Sequence, residues 1–217
     1  MKKSKLSTYI LLDRSGSMSG SKWEHAIGSI NSYVAELTTG DEIIGDVTVA
    51  AFDGHHINPF NTNINLKSNV SFDILRENQI LSKFKPIEIN ETSPRGSTPL
   101  YDATAQLINM VETDNSEKAI IIIMTDGEEN ASTSYSLNAI RDRIKSCTNR
   151  GWEVVFLGSE FNADTVAQNF GLGLNKVVNN AAHETGATMD FYSTAARSYA
   201  STGAAIDTTL RRAEVKK

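Results

Sequence analysis

Three short segments of this chain place oxygen-bearing side chains where an apolar run stops. Tyr9-Ile-Leu-Leu ends in Asp13-Arg14-Ser15-Gly16-Ser17, one carboxylate and two hydroxyls at alternate positions. Ile120-Ile-Ile-Ile-Met-Thr ends in Asp126, and Arg95-Gly-Ser leads to Thr98, just ahead of Pro99 and a helical pattern. Asp13, Ser15, Ser17, Thr98 and Asp126 make a set of five oxygen donors. Carboxylates and neutral hydroxyls are hard ligands, which suit Mg²⁺ or Mn²⁺ rather than zinc. The single cysteine, Cys147, lies in none of these segments, so no soft ligand joins the set.

Such a set needs a scaffold that brings distant segments together. Leu6 to Leu12 and Ala119 to Met124 are continuous apolar runs, the pattern of strands buried on both faces of a parallel α/β sheet. Ligands of such sheets collect beyond the carboxyl ends of the strands, where Asp13 and Asp126 fall. Between them, Trp23, Ala26, Ile27, Ile30, Val34 and Leu37 form a helical stripe from about Lys22 to Leu37. Val47 to Phe52 reads as a strand, Gly54 to Asn65 as a hairpin or loop leading to an edge strand, and Asp73 to Leu81 as a short helix. Pro99 suits the first position of a helix capped by Thr98 and running to about Val111, with Leu100, Ala103, Leu107 and Met110 toward the sheet.

Leu137, Ile140, Ile144 and Cys147 mark another helix, Trp152 to Leu157 a strand, Asp164 to Phe170 a short helix ended by Gly171, and Lys176 to Val178 a last strand. Beyond these, Met189, Tyr192, Ala196, Tyr199, Gly203, Ile206 and Leu210 follow a 3-4 spacing, which predicts a long helix docked through a narrow stripe of mostly small residues. The sustained alternation gives an α/β fold: a doubly wound, mostly parallel, Rossmann-like sheet, flanked by helices on both faces and carrying one antiparallel edge strand.

Composition narrows the function. With 217 residues, 40% of them apolar, and no Pro, Gly or Ser-rich linker, the chain reads as one domain over 1–217, with a core of about 5–180 and a helical extension of about 187–213. A net charge of -5 argues against broad nucleic-acid binding, which needs a concentrated basic surface. No run approaches the roughly 18 apolar residues of a membrane helix. The basic start Met-Lys-Lys-Ser-Lys mimics a secretory signal, but its apolar run is interrupted by Ser7 and Thr8 and closed by Asp13. With a lone thiol, this leads to the expectation of a cytoplasmic protein. The stretch Gly16-Ser-Met-Ser-Gly-Ser-Lys22 lacks the spacing of a phosphate loop. His55 and His56 are adjacent, so in a strand they point to opposite faces and do not chelate together.

Asp13-Arg-Ser15-Gly-Ser17, Gly96-Ser-Thr98-Pro-Leu and Thr125-Asp126-Gly127, in this order, resemble the metal-ion-dependent adhesion site of the von Willebrand factor A domain family, in particular its stand-alone bacterial and phage members. The resemblance implies that Ser15 and Ser17 are direct ligands, that Thr98 binds directly or through water, and that Asp13 and Asp126 act mainly through waters. It also implies function. Mostly neutral direct ligands leave the cation electron-poor, so an Asp or Glu of a partner protein completes its shell, and relatives of this kind serve as adaptors for ATPase machines or stress-response complexes.

The main expectation is therefore a non-catalytic, metal-dependent protein-binding module. A metal-dependent phosphoester hydrolase is the alternative, with Arg14 and Arg95 as a phosphate clamp, although no His, Lys or Cys stands in the three segments as a general base or nucleophile. A structural or oligomerising subunit is the third reading. Glu128 and Glu129 either sharpen the negative field at the metal or merely solvate the loop.

Overall fold

A computed structural model of the chain describes residues 5–39, 44–54, 70–126, 129–159, 165, 168–180 and 185–209. Strand β1 (Lys5–Asp13) leads into helix α1 (Ser21–Thr38), then β2 (Ile44–Gly54), β3 (Val70–Ile80), α2 (Leu100–Asp114), β4 (Ala119–Thr125), α3 (Leu137–Asn149), β5 (Glu153–Ser159), β6 (Val177–Asn180) and α4 (Thr185–Thr202). The described strands form one sheet in the order β3-β2-β1-β4-β5-β6. All neighbours are parallel except β2 and β3, so the antiparallel edge strand is β3.

The period of two along each buried strand sorts the core into two halves. Ile10, Leu12, Ile120, Ile122, Met124, Val155 and Leu157 point to one face and meet α1 and α4. Tyr9, Leu11, Ile121, Ile123, Val154 and Phe156 point to the other and meet α2 and α3. This two-sided burial is why β1 and β4 read as unbroken apolar runs. The helical stripes hold too: Trp23, Ala26, Ile27, Ile30, Val34 and Leu37 are buried, as are Ile140, Ile144 and Cys147, whereas Met110 is only partly covered and Ile108 and Val111 face the sheet instead.

Three local expectations are corrected. Asp73 to Leu81 is not an α-helix: Asp73 to Ile80 belongs to β3, and Leu81 opens a short 3-10 turn. Leu75, Arg76, Glu77 and Gln79 are good helix formers, yet pairing with β2 overrides propensity at this edge. Two register shifts along the β2–β3 ladder each put an extra residue into β3; at the first, Asn78 has a positive φ (43°) and donates its N–H to Thr48 Oγ1 at 3.0 Å. Thr98 does not cap α2. Pro99 occupies the cap position, and the first N–H groups of α2 donate to the loop after β4, from Tyr101 to Glu129 and from Asp102 to Ser132 Oγ.

The third correction concerns α4, which stops at Thr202. Gly203 follows with φ +76° and donates its N–H to Tyr199 O at 2.9 Å, the left-handed stop expected of a glycine there. Ile206 is buried from the segment beyond the helix, and Leu210 lies outside the described residues. The stripe is less small-residue than its spacing suggested, since Met189, Tyr192 and Tyr199 carry most of its bulk. The expected hairpin after Gly54, His55, His56, Gly127, Glu128 and, within the 164–170 stretch, Asp164, Val166 and Ala167 also fall outside the described residues.

Candidate metal centre

Strand order reverses between β1 and β4: the chain winds outward from β1 through β2 to β3 on one side, and through β4, β5 and β6 on the other. A crevice at the carboxyl ends of two such strands is where open α/β sheets bind ligands. Leu12 lies beside Met124 in the ladder, so the next residues out are Asp13 and Thr125, with Asp126 one step further. The Thr125 hydroxyl donates to Asp13 Oδ2, and Ser15 N donates to Asp13 Oδ1 at 2.7 Å. Burial pushes the Asp13 carboxyl up to about 6, against the Thr125 hydroxyl, the Ser15 N–H and the Ser15 hydroxyl, which hold it down; the nearby Asp126 charge adds to the rise.

The hydroxyls continue the cluster. Ser15 Oγ and Ser17 Oγ are 3.0 Å apart, and Ser17 Oγ donates to Asp126 Oδ1 at 2.7 Å. Adjacent oxygens on one octahedral Mg²⁺, each bound at about 2.1 Å, stand about 3 Å from each other, so these spacings fit a shared hard cation. Among the described residues no group of three or more His, Cys, Asp or Glu is placed to hold a metal. A cation held here would rely on hydroxyls as well as carboxylates. Ser17 is exposed while Asp13, Ser15, Thr98 and Asp126 are buried, which leaves one open side.

The loop that carries Thr98 is tied to the first segment and to β2 through the backbone of its neighbours, while Thr98 itself bonds to Asn130. Gly16 N donates to Gly96 O at 3.1 Å, Arg95 N to Arg14 O at 2.7 Å, and Gly54 N to Ser97 O at 2.7 Å. The approach is closer than a side chain permits: a Cβ on Gly54 would lie 1.9 Å from Ser97 Oγ, and one on Gly96, whose φ is +71°, 2.4 Å from Gly54 O. Two residues missed by sequence reasoning hold the other flank. Asn130 accepts from Thr98 N at 2.8 Å and donates its own N–H to Thr98 O at 3.1 Å, bringing the loop after β4 onto the Thr98 loop. Asp102 accepts from the N–H groups of Thr133, Ser134 and Tyr135, fixing that loop to α2. Nothing in the sequence marks either, because both contacts join the loop after β4 to residues about thirty positions away, flanked by unexceptional polar residues.

Glu129 also has a structural task. It accepts from Tyr101 N, Ala131 N and Ser132 N, so its charge is spent on the start of α2. Arg14 and Arg95 are both engaged by carboxylates. Arg14 is buried and donates to Asp53 at 2.8 Å and Asp73 at 2.7 Å, and Arg95 reaches Asp53 at 2.9 Å. Two guanidinium groups and two carboxylates offset one another, tying the metal loop to β2 and β3.

The family model for the von Willebrand factor type A domain matches residues 8–193, a span that includes all five candidate ligands. Among solved structures, the chain is similar to the vWF domain of the type V pili tip protein Mfa5 from Porphyromonas gingivalis, with a TM-score of 0.63, 11% identity, and 89% of this chain and 95% of that chain covered. It is also similar to the pilus adhesin SpaC from Lactobacillus rhamnosus GG, with a TM-score of 0.65, 13% identity, and 92% of this chain but 31% of that chain covered. The manganese-loaded TRAP protein of Plasmodium vivax gives a TM-score of 0.56 at 17% identity, covering 85% of this chain and 71% of that one. No curated protein matches the sequence. At these identities the solved structures speak for the fold alone, but the family match runs from β1 into α4 and carries the assignment: the chain belongs to the von Willebrand factor type A domain family.

Proposed function

We propose that the chain is a divalent-metal-dependent protein-binding module and not an enzyme. Asp13, Ser15, Ser17, Thr98 and Asp126 would hold Mg²⁺ or Mn²⁺, and the partner is a protein that presents an Asp or Glu to it. The observation that carries this reading is the chain of oxygens from Ser15 through Ser17 to Asp126, at 3.0 and 2.7 Å, opening to solvent at the sheet's switch point. Bound there, a divalent cation supplies an electrophilic position for an incoming carboxylate. The protein's part is to orient. Thr125 and Ser15 N fix the Asp13 carboxylate, the Gly54 and Gly96 approach sets the Thr98 loop, and Ser17 presents its hydroxyl at the surface.

Melting curves in chelator and in Mg²⁺ test the site. Binding to the folded chain alone stabilises it by RT ln(1 + [L]/Kd), about 1.4 kcal/mol at ten times Kd. Ser15→Ala should lose that gain and keep the fold, since Asp13 retains the Ser15 N–H and the Thr125 hydroxyl as donors. A full Mg²⁺ shift in Ser15→Ala means the cation sits elsewhere. The partner test is reciprocity: cation and partner must strengthen each other's binding by the same factor. Replacing the partner's contacting Asp or Glu by Asn or Gln should remove the Mg²⁺ dependence, and undiminished metal-dependent binding after every interface acid is replaced refutes the bridge. Thr98→Ala should weaken partner capture with the fold intact, because α2 takes its cap from Glu129 and Ser132 instead.

A further inference from the structure

Lys22 is the second residue of α1, in the turn where the helix dipole disfavours a positive charge. Its ammonium nonetheless turns into the site and donates to Asp126 Oδ2 at 2.8 Å. The two groups differ in exposure: the Asp126 side chain is 0% exposed, that of Lys22 23%. With Ser17 Oγ on Oδ1 and Lys22 Nζ on Oδ2, both oxygens of this buried carboxylate are engaged by protein donors. A buried carboxylate needs a compensating charge, and here α1 supplies it.

We propose that Lys22 is an internal counter-cation of the metal centre, competing with the divalent ion for Asp126 and so setting how tightly that ion is held. The proposal rests on the metal-site reading above. Lysine suits the task. Its long, flexible stem lets the charged end leave for solvent while the methylenes stay packed, which a short or rigid cationic group could not do. A divalent ion brings a stronger charge to Asp126 and repels the ammonium, so uptake of the ion and release of Lys22 are one exchange. The exchange makes the affinity weaker than the five oxygens alone would give, and it keeps Asp126 compensated when the ion leaves.

The test is calorimetric titration of Mg²⁺ into the full chain, Lys22→Met and Lys22→Arg, with melting curves in chelator and in saturating Mg²⁺. Removing one competing unit charge a few ångströms from the ion should tighten Mg²⁺ binding by about tenfold in Lys22→Met, whereas Lys22→Arg should stay near the parent. In chelator Lys22→Met should melt below the parent, because Asp126 has lost its counter-charge, and the deficit should close in Mg²⁺. Unchanged or weaker Mg²⁺ binding in Lys22→Met overturns the proposal, as does a melting deficit that saturating Mg²⁺ leaves untouched. The metal-site reading is checked separately by Ser15→Ala: if the parent binds Mg²⁺ and Ser15→Ala does not, a flat result in Lys22→Met sinks the counter-cation alone. If the parent takes up neither Mg²⁺ nor Mn²⁺, both readings fall.

Discussion

Asp13→Asn should melt at a higher temperature than the parent chain in chelator at neutral pH, and should gain nothing when Mg²⁺ is added. The reason is the burial of Asp13, which lifts its carboxyl from 3.8 to about 6. A carboxyl whose folded value is raised keeps its proton longer in the native state than in the unfolded one. Between those two values the native chain binds more protons, so stability falls as pH rises through that window and stays low above it. At 1.36 kcal/mol per unit, ionised Asp13 costs the fold on the order of 2–3 kcal/mol at neutral pH. Asparagine removes the charge, and its Oδ1 can still accept from Ser15 N. Its amide then faces Thr125, whose hydroxyl can rotate to accept, while one amide hydrogen left without a partner costs about 1 kcal/mol. The net gain is about 1–2 kcal/mol, and it should vanish below about pH 4, where the parent's own Asp13 is protonated. A lower melting temperature for Asp13→Asn in chelator, or a preserved Mg²⁺ shift, contradicts the account.

That expected exchange of stability for affinity explains what the sequence made legible. A short run of β-branched residues such as Ile120 to Ile123 favours a strand covered on both sides, and a carboxylate at the end of such a strand has no apolar role to play. Asp13 and Asp126 therefore stand out in the sequence as strongly as the strands do. The antiparallel strand β3 does not, because a strand on the polar rim of a sheet is held by its ladder with β2 and leaves no buried stripe. Its Leu, Arg, Glu and Gln residues suggest a helix for the same reason.

The supports of the site were hidden for a different cause. Thr98 followed by Pro99 has the local form of a helix cap, but the N–H groups of α2 are met by Glu129 and Ser132 from a loop about thirty residues away, and no local pattern encodes that meeting. Lys22 stood in the sequence only as a failed phosphate-loop lysine. Its partner Asp126 is 104 residues distant, and the pairing depends on where a flexible side chain is aimed. Arg14, placed between the proposed ligands Asp13 and Ser15, is sent the opposite way by the alternation of extended backbone, toward Asp53 and Asp73.

The largest loss of stability should come from the carboxyl-terminal helix. Ending the chain after Gly186 removes Met189, Tyr192, Ala196, Tyr199, Ala200 and Ile206, all buried in the core half shared with α1. It also removes Arg197, which donates to Thr39 Oγ1 at 2.7 Å just past the end of α1, and the acceptors that Lys118 Nζ finds at Ala200 O, 2.6 Å away. Beyond the helix, Thr208 N donates to Asn175 O at 2.9 Å and Thr208 Oγ to Val177 O at 3.0 Å, so the outer edge of β6 loses its cover as well. A large buried apolar side chain contributes about 1.5–3 kcal/mol, so Met189, Tyr192, Tyr199 and Ile206 together rival the whole stability of an ordinary domain, about 5–15 kcal/mol. The shortened chain should therefore show no cooperative melting transition and should bind a hydrophobic dye that the full chain does not. Tyr192→Ala in the full chain offers a graded version, with an expected cost of about 3–5 kcal/mol and a melt that stays cooperative. Asp13 and Asp126, two of the proposed metal ligands, lie at the ends of β1 and β4, on the sheet that α1 and α4 cover, so Tyr192→Ala should still gain from Mg²⁺ wherever it remains folded. If the shortened chain keeps its melting temperature and takes up no more dye than the parent, α4 is not part of the core that positions the site.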